Sequence, residues 1–211
     1  MKKISDSTIH RLSKYLHTLE TLEKNNIQTI SSEKIAKIEQ ITSANFRKDL
    51  SFFGSFGRRG LGYNVSSLKN QIQNILGLNR TWNIALIGIG NLGTALIDYD
   101  ELKRRDLHVQ CIFDKNPQKI GKKIKGLEVL DIKRLPEEIK KQNIQIGIIT
   151  TPAPAAQHIA DMLMDAGIRA ILNFAPKTLT PREGAMIRTE DTTTPLQTLT
   201  YFLSHTKPLT R

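Results

Sequence analysis

One stretch, residues 82–93, constrains the fold of this chain more than any other. A largely apolar run, WNIALI, leads into Gly88, Gly90 and Gly93, spaced as Gly-x-Gly-x-x-Gly, and a helical pattern follows. Here the first glycine permits a tight turn, the second lets a pyrophosphate approach the backbone, and the third lets the helix pack on the strand. The stretch predicts the start of a dinucleotide-binding unit, with candidate cofactor contacts at Gly88, Ile89, Gly90, Asn91, Leu92 and Gly93.

An acidic residue at the expected distance supports this interpretation. Asp114 ends a predicted second strand and lies 21 residues beyond Gly93. A carboxylate there bonds the ribose hydroxyls of NAD(H) and repels the 2′-phosphate of NADP(H). Lys115 and Lys119 nearby weaken this preference slightly, and Lys119 joins the candidate cofactor contacts. The alternative is an aspartate that serves only as a turn residue.

Two later loops follow predicted parallel strands. Ligands bind beyond the carboxyl ends of strands in open α/β sheets, so both loops are expected to face the cofactor, although plain proline turns are the alternative. Their candidate residues are Thr151, Pro152, Ala153, Phe174, Ala175 and Pro176. Residues 81–190 are therefore predicted to form a Rossmann-type, doubly wound parallel sheet of the α/β class.

The N-terminal part of the chain, residues 1–80, looks different and holds most of the positive charge. The net charge is +11, and residues 1–80 contain 13 Lys and Arg against 6 Asp and Glu. This excess favours a polyanionic partner, above all nucleic acid, with a solvated basic surface as the alternative. Three short helical patterns within residues 5–53 suggest a helix-turn-helix.

The third predicted helix, residues 44–53, has one apolar face and one face of small and cationic side chains. Such a face fits a major groove, because Arg can bond guanine and Lys can meet phosphates; an ordinary solvated face is the alternative. The glycine-rich segment 54–65 then predicts a hairpin with arginines near its tip, as in a winged helix. The candidate DNA-binding residues are Ser43, Ala44, Arg47, Lys48, Ser51, Arg58, Arg59, Gly60 and Tyr63.

The sequence contains no recognisable catalytic or metal-binding motif. Its 5 histidines are scattered, and the predicted nucleotide-binding domain leaves no room for a substrate domain. The single cysteine, Cys111, and the lack of a long apolar run predict a cytoplasmic protein without a membrane helix. An enzyme is not expected. The two domains together favour a DNA-binding protein that senses NAD(H). The alternative functions are a small NAD-dependent oxidoreductase with a fused basic domain, and a DNA-binding sensor of another adenine nucleotide such as a CoA ester.

Several motifs, in order along the chain, resemble those of the Rex family of redox-sensing transcriptional repressors. They are Thr8-Ile9-x-Arg11-Leu12-x-x-Tyr15-Leu16, Phe46-Arg47-Lys48-Asp49-Leu50-Ser51-x-Phe53-Gly54, Arg59-Gly60-x-Gly62-Tyr63, Gly88-x-Gly90-Asn91-Leu92-Gly93, Phe113-Asp114-x-x-Pro117-x-Lys119-Ile120-Gly121 and Leu172-Asn173-Phe174-Ala175-Pro176. The resemblance covers essentially the whole chain. It implies a homodimer that binds palindromic operator DNA through winged-helix heads. NADH would act as an effector that releases the DNA, and NAD+ would permit DNA binding.

The resemblance also implies that a C-terminal helix is exchanged between subunits. Residues from about Pro195, with Thr194 as cap, form an apolar helical pattern that needs a surface to pack on. A coupling contact is implied between Arg11 of one subunit and Tyr99 and Asp191 of the other. The expected division is a DNA-binding domain at 1–80, an NAD(H)-binding domain at 81–190 and a dimerisation helix at 191–211.

Overall fold

The chain forms two compact units, residues 1–80 and residues 81–211. The computed structural model describes residues 4–57, 61–191 and 193–206. Within those ranges, none of the helices is long and apolar enough to cross a membrane.

Side-chain caps set the starts of helices in the N-terminal unit. The side chains of Ser5, Thr42 and Asn64 each accept a hydrogen bond from the backbone amide three residues later. The elements are α1 (Asp6–Lys24), β1 (Thr29–Ile30), α2 (Ser32–Ile38), α3 (Ser43–Ser51), β2 (Tyr63–Asn64) and α4 (Val65–Ile75). The three predicted helices are present. The sequence also predicts the fourth, α4, with Ser66 or Ser67 as its cap, but the cap is Asn64.

The apolar faces of these helices meet in one core. Its buried side chains are Leu12, Tyr15, Leu16, Leu19, Ile30, Ile35, Phe46, Leu50, Val65, Leu68 and Ile72. The three- and four-residue spacing along α1 predicts this face. The spacing of apolar residues also places Ile9 and Ile38 on the buried faces of α1 and α2, but their side chains are 37% and 54% exposed. Both lie in a terminal turn of their helix.

The strand pairing in this unit differs from the predicted hairpin. β2 pairs antiparallel with β1, and residues 54–57 form no strand. Gly62 makes the pairing possible, because a Cβ at that position would lie 2.6 Å from the Ile30 carbonyl oxygen. The predicted tip residues Arg58, Arg59 and Gly60 lie outside the described part of the chain.

The C-terminal unit alternates strands and helices. Its elements are β3 (Trp82–Ile87), α5 (Asn91–Ile97), α6 (Asp100–Arg104), β4 (Leu107–Asp114), β5 (Lys123–Ile124), β6 (Leu127–Asp131), a 3-10 turn (Ile132–Arg134), α7 (Leu135–Lys141), β7 (Ile146–Ile149), α8 (Ala153–Asp165), β8 (Ala170–Asn173), β9 (Met186–Thr189) and α9 (Thr193–His205).

The strands form one sheet in the order β5-β6-β4-β3-β7-β8-β9. All neighbours pair parallel except β5, which is an antiparallel edge strand. Side chains alternate along β3, so that Ile84 and Leu86 enter the core on one face while Ala85 and Ile87 enter the core on the other. The predicted Rossmann-type sheet is confirmed, and its strand order reverses beside β3.

Three local features of this unit differ from the sequence prediction. The spacing of Ala95, Leu96, Tyr99 and Leu102 predicts one helix after Gly93, but this helix is broken, because Asp98 ends α5 and Tyr99 precedes α6. Strands β5 and β9 were not predicted, since β5 is short and basic and β9 is mostly exposed. The sequence predicts a basic loop at residues 119–125 and a helix at residues 132–141, and strand β6 lies between them, where no element is predicted.

Helix α9 is exposed along its apolar side chains. Asp191 precedes the helix and accepts hydrogen bonds from the Thr193 amide at 2.8 Å and the Thr194 hydroxyl at 2.7 Å. Thr194 therefore lies inside the helix and is not its cap. The exposed apolar side chains are Leu196, Leu199, Tyr201, Phe202 and Leu203, each more than half exposed.

Candidate functional site

The glycine triplet forms a tight turn between β3 and α5. Gly88 has φ +100°, and a Cβ there would lie 2.7 Å from the Thr151 methyl. A Cβ on Gly93 would lie 2.1 Å from the Gly88 carbonyl oxygen, which also accepts a hydrogen bond from the Thr150 hydroxyl at 2.6 Å. A Cβ on Gly90 would meet no heavy atom within 4 Å. Two of the glycines thus permit packing, and Gly90 leaves its outer side open.

Asp114 binds this turn from the end of β4. Its Oδ2 accepts a hydrogen bond from the Ile89 amide at 3.0 Å, and its Oδ1 accepts one from the Asn116 amide at 2.9 Å. Lys119 Nζ lies 3.2 Å from Oδ2 and donates to the Ile89 carbonyl at 2.7 Å. Burial alone would raise the pKa of Asp114, but the two amides and Lys119 hold that pKa below its ordinary value.

A cavity of about 860 Å³ lies at the carboxyl ends of β3, β4 and β7. Its position beside the reversal in strand order is where doubly wound folds bind ligands. The predicted cofactor residues that line it are Gly88, Ile89, Gly90, Asp114, Lys119, Thr151 and Pro152. The Thr151 hydroxyl is buried and, within the described residues, makes no hydrogen bond. A ligand with a polar group would give it a partner.

The remaining predicted cofactor residues do not line this cavity. They are Asn91, Leu92, Gly93, Ala153, Phe174, Ala175 and Pro176. Gly93 packs beneath the turn, Leu92 is 46% exposed, and Ala175 is buried with its amide bonded to the Asn173 side chain. Phe174 packs on the apolar core beside β3. These positions shape the turn and strand ends more than the cavity wall.

Sequence reasoning missed most of the cavity wall that α8 and the loop after β4 supply. The additional lining residues are Ile87, Lys115, Asn116, Pro117, Ile132, Thr150, Ala155, His158, Ile159 and Met162. The α8 residues recur at spacings of three and four along one helix face, which is a signal that the sequence contains. Which side of the sheet that face approaches depends on topology, and the sequence alone does not specify it.

In the N-terminal unit, the outward face of α3 carries the predicted DNA-binding side chains. Ala44, Arg47, Lys48 and Ser51 are exposed, and Ser43 is half-buried. The Arg47 guanidinium donates to the Ser32 hydroxyl at 3.0 Å and lies 3.6 Å from a Glu33 oxygen. It is thus held at the surface.

Tyr63, also predicted to bind DNA, packs inward. Its ring meets Phe46 edge to face at 5.3 Å. Burial raises the pKa of its hydroxyl. Tyr63 therefore contributes to the core and leaves only part of its side chain at the surface.

The inward face of α3 carries a buried carboxylate, Asp49, which is 2% exposed. Arg11 donates to it from Nε at 2.6 Å and from Nη2 at 2.7 Å, and the Tyr15 hydroxyl donates at 2.7 Å. Burial would raise the pKa of Asp49, but these donors and the Arg11 charge lower it below its ordinary value. Arg11, predicted as a coupling residue, thus has a partner within its own unit.

The other two predicted coupling residues lie in the C-terminal unit. Tyr99 stands between α5 and α6 and is 54% exposed. The adjacent Asp98 forms ion pairs with Lys125 at 3.0 Å and Lys103 at 3.5 Å. The Asp191 carboxylate accepts hydrogen bonds from the first residues of α9, whose hydroxyls and amides lower its pKa to about 2.

Among the described residues there is no group of three His, Cys, Asp or Glu side chains that could hold a metal ion. Cys111 is buried, and burial raises the pKa of its thiol to about 12. Thiolate chemistry at neutral pH is therefore suppressed at this position.

The lowered pKa of Asp49 predicts acid sensitivity of the N-terminal unit. A carboxylate whose pKa is lower in the folded chain stabilises it above its unfolded pKa of about 3.9, and this stabilisation is lost as pH falls through the folded pKa. We expect the hydrogen-exchange protection factors of amides in α1 and α3, which compare the observed rate with the intrinsic rate at each pH, to fall below about pH 4. Asp49→Asn should flatten this dependence, and an identical profile in the variant would contradict the assignment.

Two family models match the chain. One, described as "Putative DNA-binding protein N-terminus", matches residues 3–51, and the other, described as "CoA binding domain", matches residues 79–177. Among solved structures, the Rex-family repressor RSP in complex with beta-NAD+ and operator DNA superposes with a TM-score of 0.91 at 38% identity, covering 97% of this chain and 94% of that one. RSP with beta-NADH gives a TM-score of 0.88 at 36% identity, covering 97% and 96%.

Relatives match the chain along nearly all its length. The redox-sensing transcriptional repressor Rex of Carboxydothermus hydrogenoformans is 46% identical over 94% of this chain and 96% of its own length. Rex of Clostridium botulinum is 42% identical over 98% of both chains. By identity and coverage together, this chain belongs to the Rex family of redox-sensing transcriptional repressors.

Proposed function

We propose that this chain is a homodimeric repressor that binds palindromic operator DNA and is released from it by NADH. The observation that carries the proposal is the glycine turn with Gly90 open, beside Asp114 and the cavity, in a family member that also has a basic N-terminal unit. The RSP structures, which contain beta-NAD+ with operator DNA and beta-NADH, support both ligands for this chain. Exposed apolar residues of α9 support exchange of this helix between subunits.

The residues around the cavity fit a dinucleotide. Gly88, Ile89 and Gly90 would face the pyrophosphate, because Gly90 leaves open backbone there. Asp114 would bind the adenine ribose, and the buried Thr151 hydroxyl would gain a partner. NADH is proposed to act as an effector that is not consumed, which makes the chain a regulator and not an enzyme. We also propose a cytoplasmic location.

The mechanism is a shift in population between two arrangements of the dimer. NADH releases DNA only if it binds the DNA-incompetent arrangement more tightly than the competent one, and the ratio of those affinities sets the response. The contact between Arg11 and Tyr99 and Asp191 of the partner subunit is proposed to report the arrangement.

A mobility-shift titration tests this function. A palindromic duplex, selected from a random pool by the protein itself, should be bound by the dimer and released by NADH. NADPH at equal concentration should release much less of the duplex. Retention of the duplex at all NADH concentrations would overturn the proposal.

A CoA ester is the second candidate effector, because residues 79–177 match the CoA-binding model. CoA carries a phosphate on its adenosine ribose, and the Asp114 carboxylate disfavours a second anion there. Release of the same duplex by acyl-CoA, with no effect of NADH, would favour this candidate.

Arg47→Ala should weaken binding of the selected duplex by about 1–3 kcal/mol, because a guanidinium that contacts a base supplies discrimination of that size. NADH affinity, measured by nicotinamide fluorescence, should not change. Lys24→Ala is the matched control, since it removes an exposed cation at the end of α1. Equal losses in both variants would mean that Arg47 contributes only charge.

A further inference from the structure

The buried side of α3 contains a carboxylate, Asp49, to which the proposed function assigns no role. Asp49 is 2% exposed, in a core that is otherwise mainly apolar. A buried carboxylate is costly unless it is paired and hydrogen-bonded. The hydrogen bonds of the Asp49 carboxylate offset this cost, and they are directional in a way that the contacts of an apolar residue are not.

Within the described residues, the side chains that donate hydrogen bonds to the Asp49 carboxylate come from α1. The Arg11 guanidinium approaches both carboxylate oxygens, at 2.6 and 2.7 Å, as a two-pronged fork. The Tyr15 hydroxyl donates to Oδ2 at 2.7 Å, and the Thr8 hydroxyl lies 3.4 Å from Oδ1. Thr8, Arg11 and Tyr15 recur at helical spacing, so they lie on one face of α1.

This fork constrains α3 in a way that its apolar contacts do not. Apolar packing by Phe46 and Leu50 is non-directional, and it fixes the depth of the helix better than its rotation. A bidentate Arg–carboxylate pair is planar and directional. Asp49 lies directly beside Lys48 and two residues after Arg47, so a rotation or slide of α3 that breaks the fork also moves the DNA-facing side chains.

We propose that Asp49 is a positioning residue for operator recognition, which sets the orientation of α3 by clamping it to Arg11 and Tyr15 of α1. This inference rests on the proposed DNA-binding function, and it assigns to Arg11 a role within its own subunit. Asp49 itself does not contact DNA. It acts through the placement of Arg47 and Lys48.

The proposal predicts that loss of the Asp49 carboxylate weakens recognition of the operator sequence more than it weakens general attraction to DNA. Base contacts require α3 to be placed accurately, whereas attraction to phosphates depends mainly on net charge. Replacing Asp49 by Asn removes the charged fork and leaves the cationic face intact. Affinity for the selected operator should fall, while affinity for unrelated DNA should stay equal or rise slightly because the head gains one positive charge.

The test uses the full-length protein and three ligands: the selected operator duplex, a scrambled duplex of equal length, and NADH. For Asp49→Asn we expect operator affinity to fall by about tenfold or more, with affinity for the scrambled duplex and for NADH within about threefold of wild type. The double variant Arg11→Gln/Asp49→Asn should be no weaker on operator than the weaker single variant, because the two residues act as one unit.

Tyr15→Phe provides a milder variant that keeps the buried ring and removes only the hydroxyl. We expect a smaller loss of operator affinity with the same selectivity. Unchanged operator affinity in Asp49→Asn would overturn the proposal. So would additive losses in the double variant, or parallel losses for operator, scrambled DNA and NADH in both Asp49→Asn and Tyr15→Phe. Wild-type protein that selects no duplex at all would instead overturn the proposed function.

Discussion

Gly93→Ala is expected to weaken NADH binding strongly and to destabilise the C-terminal unit. The added methyl would lie 2.1 Å from the Gly88 carbonyl oxygen and 2.9 Å from the Thr150 hydroxyl, so the turn must move. Overpacking of this kind lowers the free energy of unfolding by about 1–3 kcal/mol. We expect a value near the upper end of that range for Gly93→Ala, because the atom that the methyl meets first belongs to the backbone. Because the same shift displaces Gly90, NADH affinity should fall at least about a hundredfold, or ~2.7 kcal/mol.

Gly90→Ala is the matched control for this effect. Gly90 has ordinary backbone geometry with φ −86°, and its added methyl would meet no heavy atom within 4 Å. The thermal midpoint should therefore stay close to that of the wild-type protein, while NADH affinity falls because the methyl occupies the open side of the turn. Calorimetry and fluorescence titration measure the two effects. Wild-type NADH affinity in Gly90→Ala would mean that the dinucleotide does not approach this side.

The features predicted correctly from the sequence are those encoded by short patterns. The strand WNIALI and the glycine turn depend on residues 82–93 alone, and the apolar spacing of α1 predicts its buried face. Helix caps such as Ser5 are equally local. The parallel α/β class of the sheet also follows from a general rule, because alternating strands and helices favour a doubly wound parallel sheet. No pattern in the sequence predicts the order of its strands.

The missed features depend on contacts between distant parts of the chain. Asp49 lies near the edge of the apolar face on a helical wheel, and only its fork with Arg11, 38 residues earlier, explains its burial. Likewise, the hydrogen bond from Thr150 to Gly88 spans 62 residues. Strand β2 pairs with β1 because Gly62 permits close approach, and no local signal in residues 54–65 identifies that partner.

The proposed exchange of α9 involves a second subunit. The apolar side chains of α9 are exposed in a single chain, as the proposed exchange requires. The proposed contact of Arg11 with Tyr99 and Asp191 likewise joins residues of two subunits.

Asp114→Asn is expected to lower NADH affinity and to reduce the preference for NADH over NADPH. The carboxylate disfavours a 2′-phosphate in its vicinity, and hydrogen bonds to a charged group contribute about 1.5–3 kcal/mol. NADH affinity should therefore fall by about tenfold or more. Asn keeps an oxygen that can accept from the Ile89 amide, so the turn itself should survive. Fluorescence titration with both nucleotides measures the ratio.

The charge of Lys119 determines how much the ratio of NADH to NADPH affinity changes in Asp114→Asn. Its Nζ lies 3.2 Å from the Asp114 carboxylate and 2.7 Å from the Ile89 carbonyl, so neutralising Asp114 leaves a cation beside the ribose site with its charge uncompensated. That cation would attract the additional phosphate of NADPH. The double variant Asp114→Asn/Lys119→Gln should therefore lose the gain in NADPH affinity and keep the loss in NADH affinity. Equal losses of NADH and NADPH affinity in Asp114→Asn would show that the carboxylate orders the loop without selecting the nucleotide.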